Sequence, residues 1–119
     1  MQLPVLAGRE DAAQKLFAYN DLVMEMSGKI NLTGIKDTEE SLIKNVYDSL
    51  TVYDEKYFPE NAKLLDLGTG AGFPGVPLAI LRPDIQAVLA DSIQKKLTFV
   101  ENACQKLGIK NVKCLHIRA

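Results

Sequence analysis

The chain has 119 residues, 47% hydrophobic and 24% charged, which suits one ordinary soluble domain with a modest core. No run approaches the roughly eighteen consecutive apolar residues of a membrane span, and the amino terminus lacks the basic-then-apolar pattern of a secretory signal, so a cytoplasmic location is expected. Fourteen basic against fifteen acidic residues leave a net charge of −1, too weak a positive field to hold nucleic acid by charge alone; any such partner has to be bound locally.

The first half of the sequence reads as helical. From Arg9 to Met26 the apolar residues Ala12, Leu16, Tyr19, Val23 and Met26 recur at spacings of three and four, as one face of a helix does, and Ser27-Gly28 ends the pattern. A polar connector from Lys29 to Asp37 contains Asn31-Leu32-Thr33-Gly34. Asp37 followed by Glu40 then reads as a capping box that opens a second helix. Its expected apolar stripe is Leu42, Ile43, Val46, Leu50 and Tyr53, and Tyr57-Phe58-Pro59-Glu60-Asn61 breaks it.

Strand and helix alternate in the second half. Lys63 to Leu67 reads as a strand and Pro74 to Leu81 as a helix that starts with Pro and Gly, where missing donors are tolerated; Arg82-Pro83-Asp84 stops it. Gln86 to Ala90 is the second strand. Asp91-Ser92 opens a helix with Ile93, Leu97, Val100, Cys104 and Leu107 on its expected buried face, and Gly108 closes it. Val112 to Ile117 is the third strand. This alternation predicts right-handed parallel crossovers and a doubly wound α/β sheet. Three parallel strands leave an exposed edge, so the chain is expected to be half of a larger domain: a helical segment over 1–61 and the first half of an α/β core over 62–119.

Cys104 and Cys114 have no close Cys or His partner and read as reduced, buried core residues; no metal site is expected. His116 falls on the last predicted strand without a neighbouring acid or nucleophile and reads as a structural histidine.

Residues Leu64 to Gly75, Leu-Leu-Asp-Leu-Gly-Thr-Gly-Ala-Gly-Phe-Pro-Gly, carry the strongest functional signal. A short apolar run empties into a glycine-rich turn, in which Gly68, Gly70 and Gly72 let the backbone turn sharply and approach a ligand. Asp66 sits at the carboxyl end of a buried strand, where a carboxylate is costly unless it is hydrogen-bonded. Two nucleotide classes fit such a turn. Gly70, Gly72 and Gly75 match Gly-x-Gly-x-x-Gly, with Asp91 about twenty residues on, as a dinucleotide (NAD-type) oxidoreductase domain requires. The longer run, Asp-x-Gly-x-Gly-x-Gly from Asp66 to Gly72 with Pro74 following, suits S-adenosylmethionine better. That cofactor carries a sulfonium, an ammonium and a carboxylate, and no phosphate to seek a helix N-terminus. On this reading Asp66 holds the ammonium, the Gly68–Gly72 backbone lines the amino-acid tail, Phe73 packs on the ligand and Asp91 accepts the ribose hydroxyls. Ser92 and Ile93 border the adenine. The position of Asp91 also permits a helix N-cap, a role compatible with the ligand reading, which is preferred.

Asn31-Leu32-Thr33, Asp48-Ser49-Leu50, the run from Asp66 to Gly75, Asp91-Ser92, Lys95-Lys96 and Arg118-Ala119 together resemble the bacterial small-subunit ribosomal RNA guanine-N7 methyltransferases, the glucose-inhibited division protein B family, along the whole chain. The resemblance implies a Rossmann-like S-adenosylmethionine-dependent methyltransferase fold, incomplete here, with small-subunit ribosomal RNA or the assembling subunit as partner. It places Gly68, Phe73 and the segment beginning at Asp91 at cofactor-contacting positions, and Arg118-Ala119 at the start of a loop against adenine. Asn45 stands where the family commonly has histidine.

Methylation at guanine N7 uses a ring lone pair that carries no proton, so no general base is needed and no catalytic residue is assigned. Orientation is expected to supply most of the rate, on the order of 7 to 11 kcal/mol. Lys95 and Lys96 read either as contacts to RNA phosphates or as a solvated helix face, as do Lys106, Lys110 and Lys113. Asn31 and Asp48 read either as ties between the helical segment and the core or as pocket residues. A complete protein of this kind is expected to be a monomer, a truncated one to associate through its sheet edge; a catalytically inactive fragment is the remaining alternative.

Overall fold

The computed structural model describes residues 8–27, 37–51, 53, 56 and 58–118. Asn31-Leu32-Thr33 and Ala119 lie outside these. Helix α1 spans Glu10–Ser27, and Leu16, Tyr19, Asn20 and Val23 on one face are buried, as the apolar spacing requires. Acidic Glu10 and Asp11 occupy its first turn, where they favour the positive end of the helix dipole.

The second helix is a single winding in three parts: α2 (Thr38–Ser41), a π-helical stretch (Leu42–Tyr47) and α3 (Asp48–Thr51). Asp37 caps it, its carboxylate accepting the Glu40 backbone N–H at 2.9 Å. The Glu40 side chain turns forward to Lys44 Nζ at 2.9 Å, so only half of the capping box forms. The wide π turn resets the helix phase: Ser41, Val46, Tyr47, Ser49 and Leu50 face inward, while Ile43, expected on the buried stripe, is 41% exposed. A buried polar chain joins this helix to α1. Asn20 Nδ2 donates to Thr38 O, Ser41 Oγ donates to Asn20 Oδ1 at 2.7 Å, and Asn45 Nδ2 donates to Ser41 Oγ at 3.0 Å.

Strands β1 (Lys63–Leu67), β2 (Gln86–Asp91) and β3 (Val112–His116) form one parallel sheet in the order β1-β2-β3. Helix α4 (Gly75–Leu81) connects the first pair and α5 (Gln94–Leu107) the second. Gly108 ends α5 in the left-handed conformation (φ 72°), its N–H reaching Cys104 O and Gln105 O. Because the strands advance in one direction, right-handed crossovers put both helices on the same face, and α1 packs over α4 and α5 there. Leu64, Asp66, Ala87 and Leu89 face these helices, whereas Leu65 (60% exposed), Leu67 (66%) and Leu115 point from the other face. The described residues therefore build one winding of the expected double winding. The core beneath α1 gathers Leu16, Tyr19, Val23, Val46, Val76, Leu89, Phe99 and Val100; each large apolar side chain buried there contributes about 1.5–3 kcal/mol. Cys104 is buried in it and Cys114 only half-buried, both as free thiols, with burial pushing Cys104 up to about 12 and Cys114 to about 11.

Two clamps hold the opposite, amino-terminal end of the sheet. Arg82 donates to both carboxylate oxygens of Asp84 (2.8 and 2.7 Å), to Tyr53 Oη and to Phe58 O. The guanidinium holds the Asp84 carboxyl well below the usual carboxylate range, helped by the Asn61 N–H. Asn111 Nδ2 lies within hydrogen-bond reach of Ala79 O, Arg82 O and Ile85 O (3.0–3.2 Å), gathering carbonyls around the end of α4. Asn111→Ala leaves these carbonyls without their donor and is expected to lower the unfolding free energy by about 1–3 kcal/mol. Urea denaturation measures this, and an unchanged midpoint means that water replaces the amide.

Candidate functional site

The glycine-rich turn leaves β1 and hooks over the carboxyl end of β2: Gly68 N and Thr69 N both donate to Ala90 O, at 2.8 and 3.2 Å. Gly72 N and Phe73 N then return to Thr69 O, at 3.0 and 3.3 Å, and Val76 N bonds Gly72 O at 2.7 Å. Within ten residues the chain has reversed into α4. Gly68 and Gly70 have positive φ (70° and 58°), and a Cβ at either would meet nothing within 4 Å. Their outer side is open for the close approach of another molecule.

Asp66 organises this turn from beneath. Its Oδ2 accepts the Thr69 hydroxyl at 2.8 Å and the Gly75 backbone N–H at 3.0 Å, while no donor among the described residues reaches Oδ1. Burial raises its pKa; the Thr69 and Gly75 hydrogen bonds oppose that shift and the nearby Asp91 charge adds to it. Gly75 is required by closeness, because a Cβ there would lie 2.8 Å from Asp66 Oδ2 and from Leu89 Cδ1. The first turn of α4 is thus pressed against the carboxylate and the strand behind it.

Asp91 ends β2. Its Oδ2 accepts Gly70 N at 2.8 Å and its Oδ1 accepts Ile93 N at 2.9 Å, so one carboxylate ties the first crossover turn to the second. Burial acts to raise its pKa, but the backbone N–H groups of Gly70, Ile93 and Ser92, with the Lys96 charge, lower it overall. The N-cap of α5 itself is Ile93, which makes no side-chain cap; Asp91 closes the turn just before it. Consequently Ile93, expected on the buried face of α5, precedes the helix and is 46% exposed.

Asp66, Gly68, Gly70, Gly72, Asp91, Ser92 and Ile93 therefore meet along the carboxyl ends of β1 and β2, where α/β sheets place their ligands. Arg118, exposed, follows β3 at the same end of the sheet. Phe73 is half-buried, packed partly into the core with its ring edge-on to Tyr19 at a centroid distance of 5.9 Å. Lys95 and Lys96 lie in the first turn of α5, the former exposed and the latter half-buried. His116 pairs with Asp91 in the sheet register and its Nε2 lies 3.0 Å from Ser92 O, a satisfied histidine on the turn beside the site. Asp48 is exposed on α3. Thr69 was not among the expected site residues; its place three residues after Asp66, at the head of a turn, is the signal that points to it. Among the described residues no His, Cys, Asp and Glu cluster could hold a metal ion, and no helix is long and apolar enough to cross a membrane.

A family model described as rRNA small subunit methyltransferase G matches residues 12–119. The Ribosomal RNA small subunit methyltransferase G of Clostridium perfringens (strain 13 / Type A) is 44% identical over 110 residues, 92% of this chain and 46% of its own length. That of Alkaliphilus metalliredigens (strain QYMF) is 38% identical over the same shares. Among solved structures, a SAM dependent methyltransferase from Aquifex aeolicus has 27% identity and a TM-score of 0.54, covering 66% of this chain and 42% of that one. A precorrin-6y C5,15-methyltransferase from Geobacter metallireducens GS-15 shares the fold at 14% identity, with a TM-score of 0.52 over 74% of this chain and 42% of its own. The chain spans about half the length of the curated relatives it matches, and its sheet and helices are part of a Rossmann-like methyltransferase fold. By this match over nearly all of its residues, the chain belongs to the rRNA small subunit methyltransferase G family.

Proposed function

We propose that this chain is the cofactor-binding part of an S-adenosylmethionine-dependent methyltransferase acting on N7 of a guanine in small-subunit ribosomal RNA. Residues 1–61 form its helical segment and 62–119 the first half of its core. The substrate is the RNA, free or in the assembling subunit, met in the cytoplasm by a monomeric enzyme. One observation separates this reading from a dinucleotide site. A pyrophosphate needs the free amides at the start of the crossover helix, but Asp66 Oδ2 already takes the Gly75 N–H and puts a negative charge there. A phosphate would meet a carboxylate, whereas a cofactor with an ammonium and no phosphate is favoured by it.

The residues present suit S-adenosylmethionine. Each Asp91 oxygen accepts one backbone N–H and keeps a lone pair for a ribose hydroxyl. Asp66 Oδ1 is left for the ammonium, directly or through water, and the open side of Gly68 and Gly70 admits the amino-acid tail beside Gly72 and Phe73. Ser92 and Ile93 border the adenine, with Arg118 and Ala119 beginning the loop across it. When bound, the cofactor supplies a methyl group activated by its sulfonium charge. The residues that would hold the cofactor would direct its methyl toward guanine N7, and the chemistry it would supply is transfer of that methyl from sulfur to the N7 lone pair. No proton moves, so no side chain acts as acid or base, and placement supplies on the order of 7 to 11 kcal/mol. Lys95 and Lys96 lie on the first turn after the Asp91 site, where contacts to RNA phosphates would position the substrate without reading its sequence.

Calorimetric titration with S-adenosylhomocysteine tests the assignment. The chain is expected to bind it, Asp91→Ala to weaken binding at least about tenfold through the loss of charge-assisted hydrogen bonds, and NADH not to bind; undiminished binding in Asp91→Ala, or protection from unfolding by NADH alone, overturns it. Asp66 predicts the pH dependence. Its raised folded pKa means that its neutral form contributes stability below the ordinary carboxylate pKa, which is lost as pH rises through the raised value. A bound ammonium compensates the charged form, so the rise in melting temperature caused by S-adenosylhomocysteine is expected to be larger above the raised pKa than below it. Asp66→Asn is expected to flatten that dependence; scanning calorimetry across the acid range reads both.

A further inference from the structure

Helix α1 reaches the glycine-rich turn through Tyr19. This side chain is completely buried, and its hydroxyl donates a 2.6 Å hydrogen bond to Ala71 O, fifty-two positions later in the chain. Its ring stands edge-on to Phe73 and lies against Phe99 at 6.1 Å. The peptide between Ala71 and Gly72 is held at both ends, its carbonyl by Tyr19 and its N–H by Thr69 O at 3.0 Å. Gly72 (φ 94°) turns its bare Cα toward the same hydroxyl: a Cβ there would overlap Tyr19 Oη and lie 2.9 Å from Val76 Cγ2. Filling the core requires only an apolar ring at this point, and a buried hydroxyl is costly unless it is bonded. The hydroxyl therefore has a specific partner, the turn. Burial, with smaller contributions from Cys104 and Cys114, raises its pKa well above the usual tyrosine value, so it stays a donor throughout the neutral range.

We propose that Tyr19 is a positioning residue of the cofactor site, through which α1 sets the orientation of the Ala71–Gly72 peptide and the ring of Phe73 before the cofactor arrives. This rests on the reading of the Gly68–Gly72 turn as the S-adenosylmethionine site. On this account the helical segment is part of the cofactor site rather than only an extension for the RNA, and Gly72 is the surface cut to receive Tyr19. Loss of the hydroxyl leaves the fold and the Asp91 contact in place but lets the turn occupy other orientations, of which only some bind.

The test titrates the full chain and its variants with S-adenosylhomocysteine, at a temperature where circular dichroism shows each to be folded. Tyr19→Phe is expected to raise Kd about fivefold. Val23→Ala, a change at the next buried apolar position on the same face of α1, is expected to lower the melting temperature and leave Kd unchanged. Gly72→Ala is expected to raise Kd in the parent and less in the Tyr19→Phe background, where the hydroxyl that the new methyl overlaps is gone; this coupling is a signal that general destabilisation does not produce. An unchanged Kd in Tyr19→Phe, or a rise in Val23→Ala equal to it, overturns the proposal. Should Tyr19→Phe not fold, Gly72→Ala carries the test alone, and an unchanged Kd there overturns it. Absence of binding by the parent chain instead overturns the cofactor reading itself.

Discussion

A buried carboxylate oxygen, Asp66 Oδ2, sits where strand, turn and helix must meet, and it bonds the Thr69 hydroxyl on one side and the Gly75 amide on the other. Ionised at the end of β1 with most of its water removed, Asp66 is costly to keep charged, and these donors offset part of that cost. In doing so they determine how far the chain travels before α4 begins. Gly75 lies against both the carboxylate and Leu89, so the position of α4 on the sheet follows from the same contact. No donor among the described residues reaches the other oxygen, Oδ1, so the charge is only partly compensated within the chain.

The turn is held by further contacts from two other elements, β2 and α1. Asp91 at the end of β2 takes Gly70 N, Ala90 O takes Gly68 N and Thr69 N, and Tyr19 of α1 takes Ala71 O. Two elements distant in sequence, β2 and α1, thus converge on the backbone of Gly68–Ala71. Preorganisation of this kind reduces the ordering cost of binding a ligand at the turn. The clamps of Arg82 and Asn111 act at the amino-terminal end of the sheet, leaving the carboxyl end free for the site.

The buried polar chain through Asn20, Ser41 and Asn45 gives the helical segment a register on α1 that apolar packing alone would not specify. Asn45 has a defined place there: its amide donates to Ser41 Oγ and its backbone carbonyl accepts the Ser49 hydroxyl. The π-helical turn lies in the same stretch and brings Val46 and Tyr47 inward together.

Local chemistry was enough to read much of this from the sequence. The apolar period of α1, the strand at Lys63–Leu67 between turn residues, Pro74 before α4 and Gly108 after α5 all express preferences of a few neighbouring residues, and the elements form where those preferences put them. The clustering of Asp66, Gly68, Gly70 and Asp91 was legible for the same reason, since the ends of adjacent parallel strands must lie side by side. Ile43 and Ile93 escaped because helix phase and helix start depend on a π turn and on where Asp91 spends its oxygens, neither of which a 3.6-residue period contains. The exposed Leu65, Leu67 and Leu115 reflect strands that wind in one direction only, so helices cover a single face. Tyr19 looked like any member of an apolar stripe; its hydroxyl acquires a role only when fifty-two residues of chain fold back to bring Ala71 against it. The sequence by itself determined the elements, their alternation along the chain and the residues carried to the sheet's carboxyl end, because these depend on short-range geometry. Which hydrogen bonds hold the turn, and which helix orients it, were decided only by the tertiary structure, because those partners are neighbours in space and not in sequence.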